Sequence, residues 1–178
     1  MQGPGIDPLV VGLAAGDERA FAVLYDRYSG RLYRTAMGML GRREDAEDTV
    51  QEVFMAIMQS RQSMTNVQDL TAYLFTALRR AAGRCAARKA RRPVQSETAI
   101  SEAEASTAQC NDCVSPYSER LDRALLALPT EQREVVALKT DGELTFAQIA
   151  QVLGISINTA ASRYRYALEK LRASLIKS

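Results

Sequence analysis

Residues 145–175, TFAQIAQVLGISINTAASRYRYALEKLRASL, carry the pattern that decides the fold of this chain. A short apolar helix is predicted over 145–153 and a longer one from Ile157 to about Leu175, with Gly154 supplying the tight turn between them. A short helix, a glycine-containing turn and a longer helix form a helix-turn-helix pattern. In that motif the second helix enters the major groove of DNA.

The second helix of the motif needs small or hydrogen-bonding side chains and nearby cations if it is to read DNA. Thr145 and Ser156 are suitable N-cap residues for the two helices. The face that packing leaves free on the second helix carries Asn158, Thr159, Ser162, Arg163, Arg165 and Tyr166. We predict that these residues bind DNA. The alternative is a helical hairpin inside an ordinary bundle.

The rest of the chain also has helical periodicity. Apolar residues recur at steps of three and four over 17–40, 44–59 and from Leu70 onward, where Pro93 ends the helix. These stripes place Tyr25 and Met58 in the core, and the polar stretch 60–69 is predicted to be a loop. A further helix near 118–128, with Leu121 buried, precedes one that begins at Pro129-Thr130. Because no segment alternates with period two, the chain is predicted to be all-α.

Residues 93–117 are rich in Ser, Ala, Glu and Thr and have no sustained apolar stripe, which is typical of a flexible acidic linker. The chain is therefore predicted to hold two small helical domains, 1–92 and 118–178, joined by this linker. Cys110 and Cys113 form a C-x2-C inside it, whose role the sequence leaves open between incidental thiols, a disulfide and a metal shared with a partner. With no histidine and only Cys85 elsewhere, one chain cannot complete a four-coordinate zinc site, so we expect no metal.

Basic charge is concentrated in one part of the chain. Lys and Arg total 23 against 21 Asp and Glu, yet residues 61–92 hold eight basic side chains and one acidic side chain. Such a block is typical of a surface that binds a polyanion. The alternative is a solvated helix face.

Composition excludes several classes of protein. The chain has no histidine, no glycine-rich phosphate loop and no nucleophile-elbow pattern, so we expect no enzyme, no cofactor and no small-molecule substrate. No apolar run approaches the roughly 18–20 residues of a membrane span. The N-terminus lacks the basic start and cleavage pattern of a signal peptide. We therefore expect a cytoplasmic protein without membrane insertion.

Three segments resemble one family of transcription proteins. EDAEDTVQEVFMAIM at 44–58 is similar to the sigma-factor segment D-A-E-D-x-x-Q-E-x-F. Residues 128–172 resemble the C-terminal domain of the same family, and AFAVLYDRYSGRLYRTA at 20–36 resembles its first helix. The order and the length resemble the two-domain extracytoplasmic-function (ECF) group of bacterial RNA polymerase sigma factors.

This resemblance implies a protein that binds core RNA polymerase and directs promoter-specific initiation of transcription, with an anti-sigma factor as its expected inhibitor. The positions that match the polymerase-docking helix are Asp45, Asp48, Gln51 and Glu52, which the apolar stripe of the helix over 44–59 leaves mostly outward. The part that engages and melts the −10 element of promoter DNA matches Asn66, Arg79, Arg80, Arg84 and Arg88. The helix-turn-helix face described above would read the −35 element.

The sequence departs from the family pattern at several positions. Arg80 and Arg84 stand where these proteins usually have Asn and Asp, which favours backbone binding over base reading at the −10 element. Ala161 stands where a Lys or Arg commonly precedes the Ser-Arg pair, and Gln148 replaces the usual Glu of the supporting helix. Two other functions stay open: a regulator that binds duplex DNA without polymerase, and a sigma-like protein that titrates an anti-sigma factor.

Overall fold

The computed structural model describes residues 7–91 and 116–176, and within these ranges the fold is all-α, as the sequence predicts. A short 3-10 helix at Arg61–Asn66 lies between α3 and α4. The α-helices are α1 Pro8–Ala15, α2 Glu18–Leu40, α3 Arg43–Gln59, α4 Leu70–Ala90, α5 Pro116–Leu126, α6 Thr130–Thr140, α7 Phe146–Leu153 and α8 Ile157–Ile176. The predicted linker, with Cys110 and Cys113, lies almost wholly outside the described residues.

Helix α1 is an element that the periodicity did not predict. It is only eight residues long, too short to show an amphipathic repeat, yet Asp7 caps it by accepting a hydrogen bond from Leu9 N at 3.0 Å and Pro8 opens its first turn. Val10 and Leu13 are its buried residues. It packs against the 3-10 helix, and that segment, predicted as a loop, is therefore ordered structure.

Helices α2, α3 and α4 form the core of the N-terminal part. Leu24, Leu32 and Leu74 are completely buried among them. The prediction that Tyr25 and Met58 belong to this core is wrong, because 51% of Tyr25 and 58% of Met58 is exposed. These side chains lie on a groove between α2 and α3 that no other described helix covers.

The helix-turn-helix forms as predicted. Thr145 caps α7 in a reciprocal box with Gln148, and Gly154 turns the chain in the left-handed conformation with φ of 67°. Ser156 caps α8 by accepting a hydrogen bond from Thr159 N at 3.0 Å. Leu121 of α5, predicted to be buried, is 41% exposed because α5 packs mainly on α8 at the edge of the C-terminal part.

The two helical parts share one hydrophobic core. Helix α6 packs on α2, and α7 packs on α4. Gly38 of α2 makes the first contact possible, since a Cβ at this position would lie 3.0 Å from Cβ of Ala137 and 3.2 Å from a carboxylate oxygen of Asp141. At the same interface Arg31 Nε donates to the Gly142 carbonyl at 3.2 Å.

We predict that Gly38→Leu wedges the two parts apart. Overpacking a close contact costs about 1–3 kcal/mol, which exceeds the gain in helix propensity of about 1 kcal/mol from replacing a helical glycine. The free energy of unfolding should therefore fall, and the radius of gyration measured by small-angle scattering should rise. Gly83→Leu is the control, because a Cβ at Gly83 of α4 meets nothing within 4 Å. Equal behaviour of the two variants would contradict the role of Gly38.

We predict that Asp141→Asn stabilises the interface at neutral pH. Burial raises the pKa of Asp141 above its ordinary value of 3.8, against the opposing effects of Arg34 and of a hydrogen bond from Thr140. An acid whose pKa is raised by folding lowers the free energy of unfolding once the pH exceeds its pKa in the unfolded state. The full loss applies when the pH also exceeds its pKa in the folded state. Thermal unfolding should show a higher Tm for the Asn variant at pH 7, and the difference should vanish below pH 3.8. A constant difference across this range would contradict the assignment.

Candidate nucleic-acid interface

The recognition helix α8 presents the predicted residues on one face. Asn158, Arg165 and Tyr166 are exposed, whereas Thr159 and Ser162 are partly buried. The opposite side of the helix buries Ala160, Ala167 and Leu171, and α8 packs on α5, α6 and α7. Packing therefore leaves a polar and cationic surface open to solvent.

Two cations of this face already have partners within the C-terminal part. Arg163 forms an ion pair with Glu131 of α6 at 2.6 Å. The guanidinium of Arg165 lies 5.2 Å from the ring centre of Tyr166, a cation–π distance that holds both side chains outward. Tyr164, between them in sequence, packs edge-on against Phe146 at 5.7 Å and supports the helix rather than the surface.

Asn66 ends the 3-10 helix and is exposed. Met64, completely buried, anchors the segment beneath it. Three residues further on, Asp69 caps α4 by accepting a hydrogen bond from Ala72 N at 2.8 Å. The other carboxylate oxygen of Asp69 accepts a hydrogen bond from Gln148 Nε2 of α7 at 3.0 Å. The site predicted for −10 recognition therefore touches the helix-turn-helix.

The basic face of α4 is exposed along its C-terminal half. Arg80, Arg84 and Arg88 all reach solvent. Arg79 is less free, because its Nε pairs with Glu134 of α6 at 3.3 Å. Arg80 and Arg88 have no ion-pair partner in the part of the chain that the structure describes. The helix therefore carries cations in two states, paired and unpaired.

The acidic face of α3 lies beside this basic face. Asp48, Gln51 and Glu52 are exposed, as predicted. The expectation that Asp45 also points outward is wrong: only 14% of its side chain is exposed, because Lys89 of α4 pairs with it. Glu52 accepts hydrogen bonds from Arg84 Nε at 3.1 Å and Nη2 at 2.5 Å.

The apolar groove between α2 and α3 is a feature that the sequence reasoning missed. The rings of Phe21, Tyr25 and Phe54 line it. The centre of the Phe54 ring lies 5.0 Å from that of Tyr25, with the two rings tilted, and 6.0 Å from that of Phe21, which it meets edge-on. Met55 and Met58 form its other wall and are both more than half exposed. Met55 is the one sequence signal for this groove, since it is an apolar residue outside the predicted buried stripe of α3. The groove adjoins Gln51 on the acidic face.

No group of three or more Asp, Glu, Cys or His side chains in 7–91 and 116–176 is placed to hold a metal ion. Nor does any helix within these ranges combine the length and the apolar character that crossing a bilayer requires.

Comparison with known proteins assigns the family. The model for Sigma-70 region 2 matches residues 24–92, and the model for Sigma-70, region 4 matches residues 118–171. The chain is 28% identical to the ECF RNA polymerase sigma factor SigK of Mycobacterium tuberculosis, over 96% of this chain and 93% of that protein. SigW of Bacillus subtilis is also 28% identical, over 90% and 91%. The chain belongs to the ECF sigma factors.

Two solved structures share the fold. CnrH in complex with the cytosolic domain of CnrY superimposes with a TM-score of 0.70 at 23% identity, and the match covers 96% of each chain. RpoE in complex with the anti-sigma factor NepR, from Bartonella quintana, gives a TM-score of 0.64 at 24% identity over 88% of this chain and 97% of that one. The arrangement of helices in this sigma factor is therefore one that related chains adopt.

Proposed function

We propose that this sigma factor binds core RNA polymerase and selects promoters through two separate surfaces. Residues 1–92 bind polymerase and recognise and melt the −10 element, and residues 118–178 recognise the −35 element. Residues 93–117 connect the two. The observation that carries this proposal is the acidic face of α3 lying directly beside the basic face of α4, with a second basic face on α8. A duplex-binding regulator that works without polymerase has no use for the acidic face.

The acidic face supplies the polymerase contact. Asp48, Gln51 and Glu52 are accessible and would complement the basic coiled coil of the largest polymerase subunit that the family resemblance implies. Asp45 joins them only if Lys89 moves aside. Complementary charge between the acidic face and the coiled coil speeds their association and fixes how they align, and it contributes less to the affinity itself.

The −10 element is held mainly through its backbone. Arg80, Arg84 and Arg88 lie along one exposed half of α4, where cations can neutralise the phosphates of an opened strand. Asn66 offers an exposed amide to an unstacked base. Arg79 becomes available only when Glu134 of α6 withdraws, so we expect it to act after the two helical parts separate.

The −35 element is read by α8 in the major groove. Asn158, Arg165 and Tyr166 are exposed, the last two in contact with each other, and Arg163 becomes available when its ion pair with Glu131 is exchanged for DNA. Thr159 and Ser162 lie at the base of this face, where their hydroxyls suit short contacts to DNA. Gln148 contacts Asp69 and supports α7.

The remaining expectations concern partners and chemistry. We expect an anti-sigma factor to inhibit the protein, since both structurally similar sigma factors were solved with a partner chain and NepR is described as an anti-sigma factor. We also expect a cytoplasmic protein without catalytic activity of its own, because the polymerase performs the chemistry.

The decisive experiment is transcription in vitro with purified core polymerase and a promoter library. We predict that Asp48→Arg lowers affinity for core polymerase at least tenfold and abolishes initiation, because it places a cation at the exposed centre of the acidic face. Asp26→Arg, an equal change at an exposed position on α2, is the control and should bind normally. Unchanged affinity of the Asp48 variant in a pull-down would show that polymerase binds elsewhere.

We predict that Arg163→Ala weakens binding to the −35 element. A base contact is worth about 1–3 kcal/mol, and its loss relaxes specificity at one position of the site. Binding by the polymerase-bound chain to a set of −35 variants, followed by fluorescence anisotropy, measures both effects. A uniform loss across all sequences, together with a shallower salt dependence, would make Arg163 a phosphate contact instead.

A further inference from the structure

Two cations of the basic α4 face are neutralised by carboxylates of the acidic α3 face. Arg84 pairs with Glu52 through two of its nitrogens, and Lys89 pairs with Asp45. Asp45 at the start of α3 meets Lys89 at the end of α4, and Glu52, further along α3, meets Arg84, earlier on α4, as two antiparallel neighbouring helices require. Both carboxylates belong to the proposed polymerase surface, and Arg84 belongs to the proposed DNA surface.

We propose that polymerase docking on α3 releases Arg84 and Lys89 for DNA by taking over their partners Glu52 and Asp45. A basic partner that pairs with these two carboxylates leaves the α4 cations without a counter-charge. The freed side chains then bind phosphates of the opened strand. Because coupling between two ligands is reciprocal, DNA bound on α4 strengthens polymerase binding on α3 by the same factor. This inference rests on the proposed function.

The unpaired cations of the same helix provide an internal contrast. Arg80 and Arg88 are exposed and have no ion-pair partner among residues 7–91 and 116–176. They are therefore available to DNA in the free chain as much as in the polymerase-bound chain. Arg84 is exposed on the same helix but is bonded to Glu52, so a comparison of Arg80 with Arg84, each with and without Glu52→Gln, tests the effect of the ion pair.

The acidic face offers an equally close contrast. Glu52 and Asp48 lie four residues apart on α3 and both are exposed, but only Glu52 has an ion pair with α4 within the described ranges. Glu52→Gln and Asp48→Asn each remove one negative charge and keep the shape of the side chain. If the lost charge acts only through general electrostatics, the two variants gain the same DNA affinity. If Arg84 is released, the Glu52 variant gains more than the Asp48 variant.

The experiment measures binding of a labelled single-stranded DNA of mixed sequence to the full chain without polymerase, at one fixed low salt concentration. Glu52→Gln should tighten binding about twofold to fivefold more than Asp48→Asn, the range expected for one exposed ion pair. Arg80→Ala should weaken binding, whereas Arg84→Ala should have little effect until Glu52→Gln is also present. Circular dichroism confirms that each variant folds.

The outcomes separate this inference from the function on which it rests. Equal gains in the Glu52 and Asp48 variants, or an Arg84→Ala loss as large as that of Arg80→Ala in the otherwise unchanged chain, overturn the coupling. The same wild-type preparation is tested for binding to core polymerase. If the wild-type chain binds core polymerase but Glu52→Gln gives no extra gain in DNA affinity, the coupling is overturned and the proposed function stands. If the wild-type chain does not bind core polymerase, both are overturned.

Discussion

Leu138, Leu144 and Ile149 of the C-terminal part are buried in the same cluster as Leu74 and Phe75 of the N-terminal part. Each part is near the lower size limit at which a domain buries enough apolar surface to be stable alone. Sharing one core relieves that limit for both. The cost is functional: while α6 and α7 pack on α2 and α4, the two proposed DNA-binding surfaces cannot change their separation.

Two polar contacts at the shared interface involve the helix that carries the proposed −10 site. Glu134 pairs with Arg79, and Gln148 donates to Asp69, which caps the helix that carries the basic face. Each of these contacts must be exchanged before the two parts separate. A partly exposed ion pair or a single hydrogen bond contributes only about 1 kcal/mol, so binding to polymerase and DNA can supply the energy needed to break them.

The sequence predicted seven of the eight α-helices in residues 7–91 and 116–176, because each has either a long apolar stripe or a recognisable cap. It missed α1, which is short and is held by packing on the 3-10 helix. Tyr25 and Met58 were misplaced for a related reason: periodicity identifies an apolar position but does not say whether another helix arrives to cover it. The ion pairs of Asp45 and Arg163 could not be predicted from helical periodicity, because they join residues 44 and 32 positions apart in the chain.

Gln148 shows how a departure from the family pattern acquires a physical meaning. Glu at this position would complete the same capping box with Thr145, because either side chain can accept the backbone hydrogen bond at the start of the helix. Only the amide can also donate to Asp69, and a carboxylate would repel it. Glu would therefore cap α7 as well as Gln148 does. What Gln148 adds is its hydrogen bond to Asp69, across the interface between the two parts. The residue favours the closed arrangement of the two parts over the open one.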